Sequence, residues 1–191
     1  MRRPPVLAAL ALVLALGTAA CGGADTDSDL PKSAATTSAS PSPSATPSWS
    51  ATTKPERPED EQSDAGAQAF ATFAADTVLY MMATGDAPAL SEISDLNSCE
   101  TCRLWADNHA DGKINKLMIG TGPPTYALSG APKVTDEVFY RVDLAMDIPR
   151  GTSVRKDGSN RERVKAVKDL PFRADLQWKD EKWLLMRFDM G

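Results

Sequence analysis

Length, composition and charge narrow the possible function classes first. The chain has 191 residues, with 21 Lys and Arg against 26 Asp and Glu, and a formal net charge of −5. Affinity for nucleic acid depends on neutralising phosphates with Lys and Arg, so this acidic chain is not expected to bind it. One His and three Cys are a poor ligand set for a tetrahedral zinc site, and no metal or other cofactor is expected.

The N-terminus is typical of a bacterial lipoprotein signal. Two Arg residues precede an apolar run from Val6 to Leu16, which is well short of the ~20 residues that span a bilayer. Small residues then precede Cys21, as in the lipobox of bacterial lipoproteins, although Thr18 stands where that motif usually has Leu. We expect residues 1–20 to be a removed signal peptide and Cys21 to carry acyl chains such as palmitate. The alternative is a secreted protein in which this Cys is incidental.

Acylation at Cys21 would fix the location of the protein. Two or more acyl chains anchor a protein stably, so the expected partner is the lipid bilayer and the expected location is the extracytoplasmic face of the cell membrane. Residues 21–63 that follow are rich in Ser, Thr, Pro, Ala and Gly, and such a composition buries too little apolar surface to fold. We expect a disordered tether, whose Ser/Thr-Pro stretches permit O-linked sugars without demanding them.

Residues 64–191 have the length of one domain, and the domain begins with helices. The first predicted helix has one apolar stripe, formed by Phe70, Phe73, Ala74, Thr77, Val78 and Met81. Gly85 is expected to end it. A short second helix is expected from Asp86 or Ala87, and a third from Asn97, because Asn97 and Glu100 have capping-box spacing, to near Gly112.

After Gly112 the apolar period changes from helical to alternating. Three runs alternate apolar and polar residues: 138–148, 170–178 and 184–190. Such alternation predicts antiparallel strands with one buried face. Asp180 and Glu181 are expected to form the turn between the last two, although Trp183 and Leu185 break the alternation beside it. Weaker strands are expected near 116–119, 125–128 and 163–167.

Helices followed by antiparallel strands predict an α+β fold, in which N-terminal helices pack on a curved antiparallel sheet. This order resembles the cone-shaped fold of nuclear transport factor two and ketosteroid isomerase. The signal, the tether, the helix from Phe70 to Tyr80 and the motif Cys99-Glu-Thr-Cys102 together resemble an uncharacterised actinobacterial lipoprotein family. That resemblance implies a cone-like fold and a location, but no activity.

Cys99 and Cys102 form the strongest motif in the domain. In an oxidising compartment two remaining thiols are expected to form a disulfide, here as a structural staple. Cys-x-x-Cys at a helix N-terminus also occurs in thiol oxidoreductases, but those enzymes place it after a strand in a βαβ unit. Metal binding is the third reading, weakened by the lone His109 as a further ligand.

Other candidate site residues are aromatic or basic. Five aromatic side chains could line a ligand pocket in the cone or pack in the core: Tyr80, Trp105, Tyr126, Tyr140 and Trp178. Five basic residues of the segment 150–168 could form a docking surface for an anionic cell-envelope polymer or acidic protein, or simply a solvated hairpin: Arg150, Arg155, Lys156, Arg161 and Arg163.

No set of residues requires a reaction, so no catalytic residue is predicted. His109 is expected on a solvated helix face, and the strand carboxylates Asp143, Asp147, Asp175 and Asp189 are expected to point away from the apolar face. The sequence therefore favours a membrane-anchored lipoprotein that displays a non-catalytic binding or scaffolding domain. The alternatives are a small-molecule carrier or enzyme that uses the cone pocket, and a Cys-x-x-Cys thiol oxidoreductase.

Overall fold

The structure is a computed structural model that describes residues 50–135 and 139–191. Within these ranges the helices are α1 (Asp64–Thr84), α2 (Pro88–Ile93) and α3 (Glu100–Ala110). The strands are β1 (Lys116–Gly120), β2 (Thr125–Leu128), β3 (Lys133–Thr135), β4 (Phe139–Ile148), β5 (Gly151–Arg155), β6 (Glu162–Val164), β7 (Val167–Lys179) and β8 (Lys182–Met190). Helices precede antiparallel strands, which confirms the α+β class. The predicted signal peptide, Cys21, most of the predicted tether and Val138 lie outside the described residues.

Helix α1 forms where its apolar stripe predicts it. The Ser63 side chain accepts a hydrogen bond from the backbone N–H of Gly66 (3.0 Å) and so caps the N-terminus. Gly85 ends the helix in the left-handed conformation, with φ of 76°, and donates its N–H to the Met81 carbonyl (2.7 Å). None of the helices in the described ranges combines the length and apolar character of a membrane span.

The N-cap of helix α3 lies two residues later than the capping-box spacing predicts. Cys99 is the N-cap, and its sulfur accepts a hydrogen bond from the Cys102 N–H (3.1 Å). Asn97 instead lies in a turn, where its N–H donates to the Asp95 carboxylate (3.0 Å). Asp side chains favour such local turns, so the Asp95 turn delays the helix.

The larger sheet has the order β2-β4-β7-β8, with β3 also paired to β4. The predicted alternation holds for β4 and β7, whose buried residues include Val142, Leu144, Phe172 and Leu176. In β8 it holds for Phe188 but is wrong nearer the hairpin turn, because a bulge follows the pairing of Asp175 with Arg187. Between the bulge and the turn the buried residues are Trp183 and Leu185, and the predicted Leu184 and Met186 are only partly buried.

The turn between β7 and β8 lies where it was predicted. Asp180 and Glu181 both have positive φ, 51° and 58°, and join Lys179 to its partner Lys182. Two consecutive positive φ values are typical of a type I′ hairpin turn, whose twist matches that of the flanking strands.

The smaller sheet has the order β1-β5-β6. Its hairpin β5–β6 carries the basic segment. The predicted strand at 163–167 is divided: β6 ends at Val164 and β7 begins at Val167 in the other sheet. Strand β4 likewise passes into β5 across Pro149 and Arg150. The chain therefore changes sheets twice within about twenty residues.

Residues 50–61, here called the strap, lie against the domain. Arg57 donates hydrogen bonds to the Asp60 carboxylate (2.8 and 2.9 Å) and to the Trp183 carbonyl (2.7 Å). The Trp183 N–H donates to Asp60 (2.9 Å), and its indole N–H donates to the Glu61 carbonyl (2.8 Å). The predicted tether is therefore wrong in extending to residue 63. The polar composition of the strap gave no indication of these partners on β8. The contacts supply hydrogen-bond partners to backbone groups at the edge of that strand.

Candidate functional site

The main cavity of the described residues has a volume of about 690 Å³ and lies where the chain passes between the two sheets. One wall is α1, a second is the strap, and the strands of both sheets close the rest. Apolar side chains dominate the lining: Phe73, Leu79, Met82, Met118, Ile119, Ile148, Val164, Val167, Leu170 and Met190. Cavities of this size and character are typical of small-molecule sites.

The strap contributes seven residues to this wall: Ser50, Ala51, Thr53, Lys54, Pro55, Glu56 and Pro58. Lys54 forms an ion pair with Glu92 of α2 (2.6 Å), while Arg57 is anchored on β8 and lies over the ring of Phe70, 4.8 Å from its centroid. The strap is thus held at two points, on α2 through Lys54 and on β8 through Arg57. An exposed ion pair adds little by itself, so the partly buried Arg57 cluster is the firmer attachment.

Asp76 is the one charged residue of α1 that lines the cavity. Its carboxylate accepts a short hydrogen bond from the hydroxyl of Tyr126. Burial raises the pKa of Asp76 above its usual range and outweighs the hydrogen bond, which lowers it. Burial, together with the hydrogen bond to Asp76, also raises the pKa of the Tyr126 phenol, which remains a donor.

Tyr126 reaches Asp76 from a second, smaller cavity of about 250 Å³. Ala69 and Thr72 of α1 line both cavities. The Tyr126–Asp76 pair therefore lies at the partition between them, where it presents a polar group to apolar surroundings.

The five predicted pocket aromatics do not form one pocket. Tyr80 lines the main cavity, and its hydroxyl donates to Asp86 (3.1 Å). Trp105 packs edge-on against Phe188, with 5.6 Å between ring centroids. Tyr140 and Trp178 each pack edge-on against Trp183, both at 5.2 Å. Of the five, Tyr80 adjoins the main cavity and Tyr126 the smaller one, whereas Trp105, Tyr140 and Trp178 pack around the core.

His109 is buried, with 2% of its surface exposed, so the expected solvated position is wrong. Its ring stacks on Trp105 (6.4 Å between centroids), and neither ring nitrogen has a hydrogen-bond partner among the described residues. Burial, and then the nearby charge of Lys156, lowers the pKa of His109. The Asp and Asn residues of this helix predict a solvated surface, but the His109 ring packs inside the domain beside Trp105.

The predicted docking residues are exposed on and around that hairpin. Lys156 differs from the rest, because its ammonium donates to the His109 carbonyl (2.7 Å). Arg150, Arg155, Arg161 and Arg163 have no ion-pair partner within the described ranges. Arg155 and Arg161 lie near the turn of the hairpin and Arg163 lies within β6, whereas Arg150 precedes β5 at the opposite end of that strand.

Cys99 and Cys102 form a disulfide, with their Cα atoms 5.2 Å apart. Both residues are completely buried. The four strand carboxylates lie on the outer side of the larger sheet in ion pairs: Asp143 with Arg173, Asp147 with Lys168, Asp175 with Arg141 and Asp189 with Arg187. In the described chain, no three His, Cys, Asp or Glu side chains gather as metal ligands.

A family model matches residues 45–189, nearly the whole of this domain and the strap. The chain belongs to the DUF6318 family. That family is described as one of unknown function. The match begins well before residue 64, in agreement with the packing of the strap on the domain.

Comparisons with other proteins add little beyond the fold. No curated protein matches the sequence. Among solved structures, the chain is similar to the intermembrane space region of the chloroplast protein ARC6, with 12% identity and a TM-score of 0.46 over 68% of this chain and 97% of that one. It is also similar to a variant of the protein Rd1NTF2_05, with 16% identity and a TM-score of 0.32 over 60% of this chain and 90% of that one.

Asp76 is the site residue that sequence reasoning missed. A signal was present: between Asp64 and Thr84 it is the only charged side chain in an otherwise apolar and small-residue helix. A carboxylate seldom occupies such a position unless it has a partner. The partner, Tyr126, is 50 residues away, and the pairing follows only from the tertiary structure.

Proposed function

We propose that this chain is a membrane-anchored extracytoplasmic lipoprotein, of the kind its N-terminus resembles in actinobacteria, whose domain binds a small apolar molecule without catalysing a reaction. The observation that carries the proposal is the main cavity, about 690 Å³ and lined chiefly by apolar side chains. An apolar ligand would remove this lining from water, which is favourable at roughly 25 cal/mol per Å² of apolar area. The acyl anchor at Cys21 would hold the domain at the membrane surface.

Binding is favoured over catalysis by the distribution of ionisable groups. Isomerase chemistry of the ketosteroid type needs a carboxylate base and a pair of hydrogen-bond donors around the substrate. Here Asp76 and Tyr126 bond to each other, while the strand carboxylates form ion pairs on the opposite face of the sheet.

The burial of both cysteines argues against a thiol oxidoreductase, because such an enzyme needs an accessible nucleophilic thiol. Reactive cysteines are partly exposed, whereas Cys99 and Cys102 have no exposed surface. The disulfide therefore fits a structural staple, which joins the N-terminal turn of α3 to itself.

The binding proposal is tested with Nile red, a neutral dye that fluoresces in apolar surroundings, and the full chain with Cys21→Ala secreted from an exporting host. We expect saturable binding at one dye per chain. Ala69→Trp should fill space at the cavity and weaken binding at least tenfold. Ala65→Trp, one turn earlier and lining only the smaller cavity, is the matched control and should leave binding within twofold. Absence of saturable dye binding in the parent chain would sink the proposal.

The exposed arginines favour a second contact, with an anionic partner such as a cell-envelope polymer. Arg155, Arg161 and Arg163 lie on or beside one hairpin without ion-pair partners in the described ranges. A patch of this kind attracts anions even on a net acidic protein. Replacing all three with Gln should abolish salt-sensitive retention on a polyphosphate column. Equal retention of the parent and the variant would remove this surface from consideration.

A further inference from the structure

We propose, resting on the proposed function, that the cavity takes an amphiphile with a protonated amine, and that the ammonium group binds the carboxylate of Asp76. The ligand would place its apolar body against the cavity wall and its positive head at the Tyr126–Asp76 pair. This assigns Asp76 as the residue that selects the head group.

The Asp76 carboxylate has an incomplete set of hydrogen-bond partners within the described residues. One carboxylate oxygen, Oδ1, accepts the hydrogen bond from Tyr126. Within residues 50–135 and 139–191 the second oxygen has no donor. A carboxylate accepts several hydrogen bonds when ionised, so a donor from the cavity side would complete its environment.

No Lys or Arg of the described residues forms an ion pair with the Asp76 carboxylate. Two lysines line the same cavity, but Lys54 pairs with Glu92 on α2, and Lys165 forms no ion pair among the described residues. Buried carboxylates are usually paired with a cation, because an unpaired charge is costly away from water. Asp76 is half-buried, and this partial desolvation raises its pKa.

The cavity wall beside the Tyr126–Asp76 pair is mainly apolar. An ammonium–carboxylate hydrogen bond is stronger and shorter than one between neutral groups. Its strength increases further when water is excluded, because the local dielectric constant falls. The wall also contains Met82, Met118 and Met190. Methionine side chains adapt to irregular apolar shapes. The site should therefore discriminate among ligands more strongly by their head group than by the shape of their apolar part.

The proposal predicts proton linkage. Binding of a cation favours the ionised carboxylate, so ligand binding should release a proton where Asp76 is otherwise protonated. Affinity for an amine should therefore rise as the pH rises through the raised pKa of Asp76. An uncharged ligand should show the opposite or no such dependence.

The test compares three ligands with one chain length, decylamine, decan-1-ol and decanoate, below their aggregation limits. Calorimetric titration uses the full chain with Cys21→Ala. We expect decylamine to bind at least tenfold more tightly than either other ligand at pH 7, in line with a hydrogen bond between charged groups. Asp76→Asn should remove this preference. Glu56→Gln changes another carboxylate of the same cavity in the same way and should preserve it.

Each result decides the matter. Equal binding of the three ligands, equal binding of decylamine and decan-1-ol, or a preference that survives Asp76→Asn would overturn the assignment of an ammonium to Asp76 while leaving apolar binding intact. Loss of decylamine preference in Glu56→Gln would overturn it as well, since surface charge would then explain the selectivity. Failure of all three ligands, together with failure of Nile red, would overturn the proposed function itself. Thermal unfolding by circular dichroism confirms that each variant is folded.

Discussion

The ammonium group of Lys156 donates a 2.7 Å hydrogen bond to the backbone carbonyl of His109. This bond joins the last turn of α3 to the hairpin β5–β6, at a carbonyl that also accepts a longer hydrogen bond from the Gly112 N–H (3.4 Å). A cation at a helix C-terminus is also favoured by the helix dipole. The imidazole of the same residue is buried and has no hydrogen-bond partner among the described residues.

The burial of His109 makes folding stability sensitive to mild acid. Its pKa is lowered in the folded state by burial and by Lys156, whereas the unfolded chain should titrate near 6.5. The unfolded state therefore binds more protons as the pH falls through 6.5, and stability decreases toward the folded-state pKa. Urea unfolding at pH 7.5 and 5.5 measures this loss. His109→Leu should remove most of the difference; an unchanged pH dependence in that variant would assign it to other groups.

Arg57→Ala should loosen the strap. The guanidinium bonds Asp60 and the Trp183 carbonyl and is only partly exposed, at 29%. Its removal should lower the free energy of unfolding by about 1–2 kcal/mol and accelerate proteolysis within the strap. Lys54→Ala, which removes the exposed pair with Glu92, is the control and should have a much smaller effect. Comparable cleavage rates in the two variants would contradict the assigned role of Arg57.

Tyr126→Phe should raise the pKa of Asp76 further. The phenol hydrogen bond is the one contact that lowers this pKa, and burial, which raises it, would remain. Stability should then fall more steeply as the pH rises above 3.8, because the folded state holds its proton longer than the unfolded state. Carboxyl NMR titration reports the pKa directly. In an Asp76→Asn background Tyr126→Phe should leave the pH dependence of stability unchanged in this window.

Replacing both Cys99 and Cys102 with Ser should destabilise the domain modestly while leaving its fold. The disulfide closes a very short loop, for which the loss of unfolded-chain entropy amounts to about 2 kcal/mol. Thermal unfolding of the parent chain with and without reductant provides the comparison. An unchanged melting temperature accompanied by an envelope phenotype would show that the pair has a role other than that of a staple.

Cys21→Ala should release the protein from membranes into the medium. Stable attachment requires acyl chains on this residue, so cell fractionation with an antibody to the domain is decisive. Cys99→Ser, which removes a thiol elsewhere, should remain in the membrane fraction. Persistent membrane association of Cys21→Ala would place the anchor at another part of the chain.

Periodicity predicted the long elements well because their apolar faces repeat over many residues. Strand β4 and strand β7 bury the predicted sides, and Gly85 ends α1 as expected. Local competition explains the errors. One extra residue in β8 shifted its buried set, and the Asp95 turn delayed α3, since a single inserted residue or side-chain bond can outweigh a pattern.

The candidate site was less predictable, since it depends on contacts between distant parts of the chain. Tyr126 and Asp76 meet across 50 residues, and Arg57 meets Trp183 across 126. Amino-acid composition does not show which residues contact each other. It therefore assigned the strap to the disordered tether. Aromatic residues near one another in the predicted strands likewise gave no information on which would face a cavity.

The strap supplies a wall of the cavity and is covalently continuous with the residues that lead back to Cys21. An occupant that packs against this wall stabilises its attachment, and by reciprocity a firmly attached wall slows the departure of the occupant. Pulling on the chain from its N-terminal side would act on the same contacts, beginning at Lys54 and Arg57. Ligand binding would therefore strengthen the strap contacts, and tension on the chain would weaken them. The domain would release its ligand more readily when the chain is under tension than when it is relaxed.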